Sequence, residues 1–119
     1  MSSVAQKYDL EEKTVRFGEA VIVLCQTIHP TLTNRNIIDQ LLRSATSIGA
    51  NYTEANGASS KSDFRNKIYI AKKEARESKY WLRLLGVAEP ARKVELRELW
   101  QQAHEFVLIF QKVTTTLKK

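Results

Sequence analysis

Six cations recur at helical spacing in one stretch of the chain: Lys61, Arg65, Lys72, Arg76, Lys79 and Arg83. At 100° per residue, with Phe64 at zero, all six fall between about 60° and 120° on one flank of a helix. Asp63, Glu74 and Glu77 fall on the opposite flank. The basic flank is roughly 33 Å long, from 22 steps at 1.5 Å each. Tyr69 and Tyr80 lie just beyond it. A row of cations with aromatic rings nearby can follow a phosphate backbone and stack on bases. Three uses of such a flank stay open. It contacts nucleic acid, it pairs with acids of a neighbouring helix, or it meets an acidic protein. Glu11, Glu12, Glu19, Glu95, Glu98 and Glu105 are available as intramolecular partners.

The remaining polar groups offer less chemistry. Ser44, Ser47, Asn51 and Glu54 form a short polar line on one helix face. They are expected to hydrogen-bond to the following turn, a neighbouring helix or another subunit. A lone Glu without a positioned partner is no acid–base pair. His29 and His104 belong to no HExxH or similar ligand pattern. There is no P-loop, GxGxxG or GxSxG. Cys25 ends the apolar run Ala20–Cys25 and reads as a small core hydrophobe. The expectation is therefore a protein without catalytic residues, metal or cofactor.

These residues need a scaffold, and the composition specifies its class. The chain has 119 residues, 43% hydrophobic, with only four Gly and two Pro, and a formal net charge of +6. That suits one compact helical domain. The beginning, MSSVAQKYDLEEK, has acidic residues after Lys7 where a signal peptide would have an apolar run. The longest unbroken apolar run falls far short of the roughly 20 residues that span a bilayer. A cytoplasmic protein is expected, with no membrane partner.

Apolar periodicity predicts four helices, at about residues 9–28, 34–56, 60–86 and 90–115. Helix 1 carries Leu10, Thr14, Phe17, Val21, Leu24 and Ile28 on one stripe, with Asp9 as expected N-cap. Pro30 stops it. Helix 2 carries Ile37, Leu41, Ala45, Ile48, Tyr52 and Ala55, widened by Ile38, Leu42 and Gly49. Thr33 or Asn34 should cap it, and Gly57 should end it. Helix 3 opens on Ser60 and Asp63, spaced like a capping box. It carries Phe64, Ile68, Ala71, Ala75, Ser78, Leu82 and Leu85. Small residues at 71, 75 and 78 should admit a neighbour closely. Helix 4 starts near Pro90 and carries Leu96, Leu99, Ala103, Phe106, Phe110, Val113 and Leu117, flanked by Trp100 and Val107. The terminal TTTLKK is expected to fray. Short loops between four such helices predict an all-α, antiparallel up-down-up-down four-helix bundle.

Some apolar residues fall off these stripes. Val15, Ile22 and Val23 do so on helix 1, and Trp81 and Leu84 on helix 3. Off-core apolar residues of this kind predict contacts between copies of the chain.

One run carries a family resemblance. It comprises Leu42-Arg43-Ser44-Ala45, Ser47-Ile48, Asn51, Glu54-Ala55, Gly57, Ser60 and Asp63-Phe64. It continues through Ile70-Ala71, Glu74-Ala75 and Tyr80-Trp81-Leu82. The ordered spacing SIxxNxxEA-x-G-xx-S-xx-DF resembles the bacterial 23S rRNA intervening-sequence proteins. The resemblance implies a four-helix bundle assembled as a ring-like homopentamer, and association with RNA. A similar bundle is an accessory protein of diversity-generating retroelements, using a basic surface to engage reverse transcriptase and nucleic acid. Many relatives carry Gly after the motif Glu and Arg after the motif Gly; here these positions are Ala55 and Ala58. The loop therefore lacks one cation that relatives have.

Two functions are expected in consequence. The first is phosphate-directed RNA binding through the basic flank of helix 3, with little base specificity. The second is a protein–protein adaptor, such as an accessory subunit for a partner enzyme.

Overall fold

The computed structural model describes the backbone of residues 3–117 and the side chains of residues 9–117. Four long helices make up almost all of it: α1 Ser3–Gln26, α2 Arg35–Asn56, α3 Lys61–Ala88 and α4 Lys93–Leu117. A single 3₁₀ turn, Pro90–Arg92, leads into α4. The helices pack as a bundle measuring 45 × 23 × 19 Å.

Where the helices begin and end departs from the periodicity in places. α1 starts at Ser3, ahead of Asp9. Residues 3–8 hold no Gly or Pro, so a nucleated helix extends backwards through them. Asp9 is thus an interior residue and pairs with Lys13 one turn on, at 3.7 Å. α1 ends at Gln26, before Ile28, because Pro30 forces the chain out. Thr27 and Ile28 close it with tight bonds to the carbonyls of Leu24 and Cys25. Gly86 does not stop α3, which continues to Ala88. Pro90 opens the 3₁₀ turn instead of α4 itself, since a proline suits only a first turn. The fraying expected of TTTLKK is not seen in residues 114–117, which stay helical, with Thr114 buried and its hydroxyl on the Gln111 carbonyl. Lys118 and Lys119 lie outside the described residues.

Asn34 occupies the N-cap position of α2, but its side chain makes no capping bond. It is fully buried and used elsewhere. Its Oδ1 accepts from the Thr31 amide at 2.7 Å. Its Nδ2 donates to the His29 carbonyl and to Glu89 Oε2, both at 3.1 Å. One amide thereby ties the α1–α2 loop to the turn before α4. Ser60 does cap α3, its Oγ accepting from the Asp63 amide at 3.0 Å. Gly57 ends α2 with an ordinary negative φ of −99°.

The core lies where the predicted stripes converge. Phe17, Val21, Leu41, Ala45, Ile48, Ile68, Ala71, Ala75, Leu85, Ala103 and Phe110 are fully buried. Phe17 meets Phe106 edge-on at 5.6 Å and joins α1 to α4. Tyr52 meets Phe110 at 5.7 Å across the core. On the α1–α2 seam Glu11 accepts from Asn56 Nδ2 at 2.6 Å, and Thr14 faces Gly49. On the α2–α3 seam Arg43 meets Glu74, Ser44 meets Ser78 and Glu54 meets Lys67. On the α3–α4 seam Lys72 meets Gln111 and Lys79 meets His104.

Candidate nucleic-acid interface

α3 carries the basic flank on 28 residues without a break. Two acids of its other flank are engaged by a single cation of α2. Arg43 of α2 reaches both Glu74 oxygens at 3.2 Å and also bonds Glu77. Burial of Glu77 favours its neutral form, but donation from Trp81 and Arg43 outweighs that and holds the carboxyl below the usual range. Nearer the turn, Lys67 bonds Glu54 at 2.8 Å. That hydrogen bond raises the Lys67 ammonium above its usual range. Glu74 and Glu77 of α3 thus meet Arg43, and Lys67 of α3 meets Glu54, across the α2 seam and away from the basic flank.

The six basic residues divide by whether α4 lies against them, since Lys61 and Lys79 share one angle but differ in exposure. Lys61, Arg65, Arg76 and Arg83 are exposed. None of these four has an ion-pair partner among the described residues. Lys72 and Lys79 are half-buried and lean onto α4. Lys72 Nζ donates to Gln111 Oε1 at 2.8 Å and lies 5.1 Å from the Tyr69 ring centre. Lys79 Nζ lies 4.6 Å from the Trp100 ring centre and 2.9 Å from His104 Nδ1. A charged ammonium has only hydrogens to offer, so Nδ1 accepts and the ring proton sits on Nε2. His104 also stacks on Trp100, with centroids 5.2 Å apart. Lys72 and Lys79 are thus part of the α3–α4 seam as well as of the flank.

The acids available as partners are otherwise engaged or stand apart. Glu12 pairs with Arg16 at 3.5 Å, and Glu95 with Arg92 at 3.6 Å. Glu11 is held by Asn56. No acid of α1 or α4 pairs with the flank among the described residues. Two cations that the helix 3 wheel could not include border the same surface. Lys93 and Arg97 of α4 line a groove with Arg83. A wheel of helix 4 places them on the side of Trp100 and His104, which was the available signal.

Tyr80 is 56% exposed, with its ring edge-on to Trp81 at 4.9 Å. Tyr69 is half-buried under Lys72. Of the predicted interface residues, Val15, Ile22 and Val23 are 47%, 40% and 59% exposed. Trp81 and Leu84 are half-buried. Trp81 packs against the core of its own chain and donates from Nε1 to Glu77 at 3.1 Å.

The polar line on α2 is structural. Ser44 is fully buried against Ser78. Ser47 and Asn51 donate to carbonyls of their own helix. Glu54 holds Lys67. Among the described residues no three of His, Cys, Asp or Glu come together as a metal site would need. Cys25 is buried, which pushes its thiol up to about 11 and leaves little thiolate at neutral pH. No described helix is long and apolar enough to cross a membrane.

The motif run thus builds the α2–α3 seam and its turn, and comparison with known families places it. The family model for 23S rRNA-intervening sequence proteins matches residues 6–112. The chain belongs to the 23S rRNA-intervening sequence protein family. A solved structure, of a protein of unknown function from the S23 ribosomal protein family of Bacteroides thetaiotaomicron, is similar throughout. It is 32% identical, with a TM-score of 0.79 over 92% of this chain and 97% of that one. A search of curated proteins found no match. In this chain the loop after Gly57 holds a half-buried Ala58 where many relatives carry a cation.

Proposed function

We propose that this protein is a non-enzymatic RNA-binding bundle that grips phosphates along the exposed flank of α3. One observation carries the reading: Lys61, Arg65, Arg76 and Arg83 stay exposed and unpaired among the described residues while Glu74 and Glu77 are engaged by Arg43 on the far side. A face meant only for solvation would mix the two signs. Segregation instead leaves a positive track of the kind that releases counterions from a polyanion. Helices in a bundle present no element for reading a base-paired groove, so recognition is of backbone and shape.

The scaffold we infer is an antiparallel up-down-up-down bundle. In three consecutive helix pairs, contacting residue numbers rise in one helix as they fall in the next. Exposed Val15, Ile22 and Val23 support association of copies, which would multiply the track around a cytoplasmic ring. Family resemblance suggests five copies.

The test is RNA binding by nuclease-treated protein over a salt series, with light scattering for mass. Substituting Arg65, Arg76 and Arg83 together by Ala should weaken binding. It should also flatten the salt slope by roughly 0.7 to 0.9 for each phosphate no longer neutralised. Unchanged affinity would sink the reading. A protein partner retained on the bait after nuclease, with weak RNA binding, would favour the adaptor role instead.

A further inference from the structure

The basic track leads into an open groove of about 390 Å³ between the end of α3 and the start of α4. Leu82, Val87, Leu96 and Trp100 give it apolar walls, while Arg83, Lys93 and Arg97 stand around it. No acidic residue lines it, and none of the three cations has an ion-pair partner among the described residues. Its volume is within the roughly 300–1,000 Å³ of small-ligand pockets. Gln101 is the uncharged polar residue of its lining, and apolar walls inside this acid-free, cationic rim select an apolar, flat group that carries negative charge at its edge.

Two further features narrow the occupant. The Trp100 indole is held rigid by the stacked His104 and by Lys79, so it is a pre-set aromatic wall. Gly86 leaves the α3 side open, since a Cβ built there would meet nothing within 4 Å. The groove is also continuous with the track through Arg83, which belongs to both.

We propose that this groove receives an unpaired nucleobase of a single-stranded or looped RNA, with Arg83, Lys93 and Arg97 on the phosphates beside it. The inference rests on the RNA-binding reading above and deepens it. Bases in an A-form duplex are stacked and paired, so filling the groove from a duplex would first require unstacking. The protein therefore prefers unpaired RNA to duplex of the same sequence. Apolar walls accept any base face, so the preference is for unpaired structure and not for one base.

Gly86→Leu tests this directly. It fills the groove, leaves every cation in place, and substitutes a better helix former for glycine. Circular dichroism and a thermal melt check that the variant folds. Binding of a short single-stranded RNA and of its duplex is then measured for the parent, for Gly86→Leu and for Arg65→Ala/Arg76→Ala. Trp81→Phe in each background makes Trp100 the only indole reporter.

Gly86→Leu should bind the single strand about tenfold more weakly, as removal of one stacked base implies. Its duplex affinity should match the parent's, and the single strand should no longer quench Trp100. Arg65→Ala/Arg76→Ala should weaken both probes and leave the quench at saturation intact. If Gly86→Leu binds both probes like the parent while the double Arg variant fails, the groove is refuted and the track stands. If the parent binds neither RNA, both readings fall. Quenching by a poly-glutamate peptide, with none by RNA, would assign the groove to an acidic protein and overturn the inference.

Discussion

The hydroxyls of Ser44 and Ser78 meet 3.0 Å apart in the fully buried seam between α2 and α3. Ser44 donates to the Leu41 carbonyl and accepts from Ser78, whose single proton is thereby directed across the seam although the Glu74 carbonyl lies 2.9 Å away. With Ala71 and Ala75 also fully buried, small side chains bring α2 and α3 together. That approach is what sets Arg43 within reach of Glu74 and Glu77.

A larger residue in this seam should be costly. Ser44→Leu is expected to lower stability by about 2 kcal/mol through overpacking. Ser44→Ala, which removes only the hydroxyl, should cost about 1 kcal/mol. Urea unfolding followed by circular dichroism measures both. Equal midpoints for the two variants would mean that the seam is looser than described.

Glu77 makes stability depend on pH in a defined direction. Its folded-state carboxyl is held below the usual range, burial being outweighed by the bonds from Trp81 and Arg43. Its contribution is therefore fully present above the unfolded carboxylate value of about 4.3, and is lost as pH falls through the lower folded value. Glu77→Gln should cost about 1 kcal/mol at pH 7, a modest figure because the pair is partly solvated. The gap between variant and parent should close as the medium is acidified below about pH 4. Thermal melts across this range decide it, and a gap that stayed constant would point to packing instead of charge.

Gly49 is required by a close approach, not by its backbone angle. A Cβ there would lie 2.9 Å from Thr14 Oγ1 and 3.2 Å from Thr14 Cβ. Thr14 has little freedom to yield, being buried with its hydroxyl on the Glu11 carbonyl at 2.6 Å. Gly49→Ala should destabilise although alanine is favoured by about 1 kcal/mol in a helix interior. Thr14→Ala combined with it should recover part of the stability, giving a non-additive cycle in chemical denaturation. A stabilised Gly49→Ala variant would contradict the described packing.

Much of this was legible in the chain. The four helices, their core stripes, the Ser60 cap and the structural use of Ser44 and Glu54 follow from periodicity and residue type. Family membership follows from the ordered motif between Ser47 and Phe64. The helix ends were less legible, because nothing local marks how far α1 extends beyond Asp9. Asn34 misled for a related reason. Its type suits a cap, but its partner Glu89 is distant in sequence and near only after folding.

The basic flank shows where the two sources of information divide. Sequence alone determined the angle of each cation from its own core, since a helix turns by a constant step. It could not say which helix would stand at that angle. Packing decided that Lys72 and Lys79 would rest on Gln111, His104 and Trp100, while Lys61, at the same angle as Lys79, would stay clear with Arg65, Arg76 and Arg83. Packing also brought Lys93 and Arg97 beside Arg83 around one groove. Charge along a helix is a property of the chain, whereas a concave site between two helices exists only once both are in place.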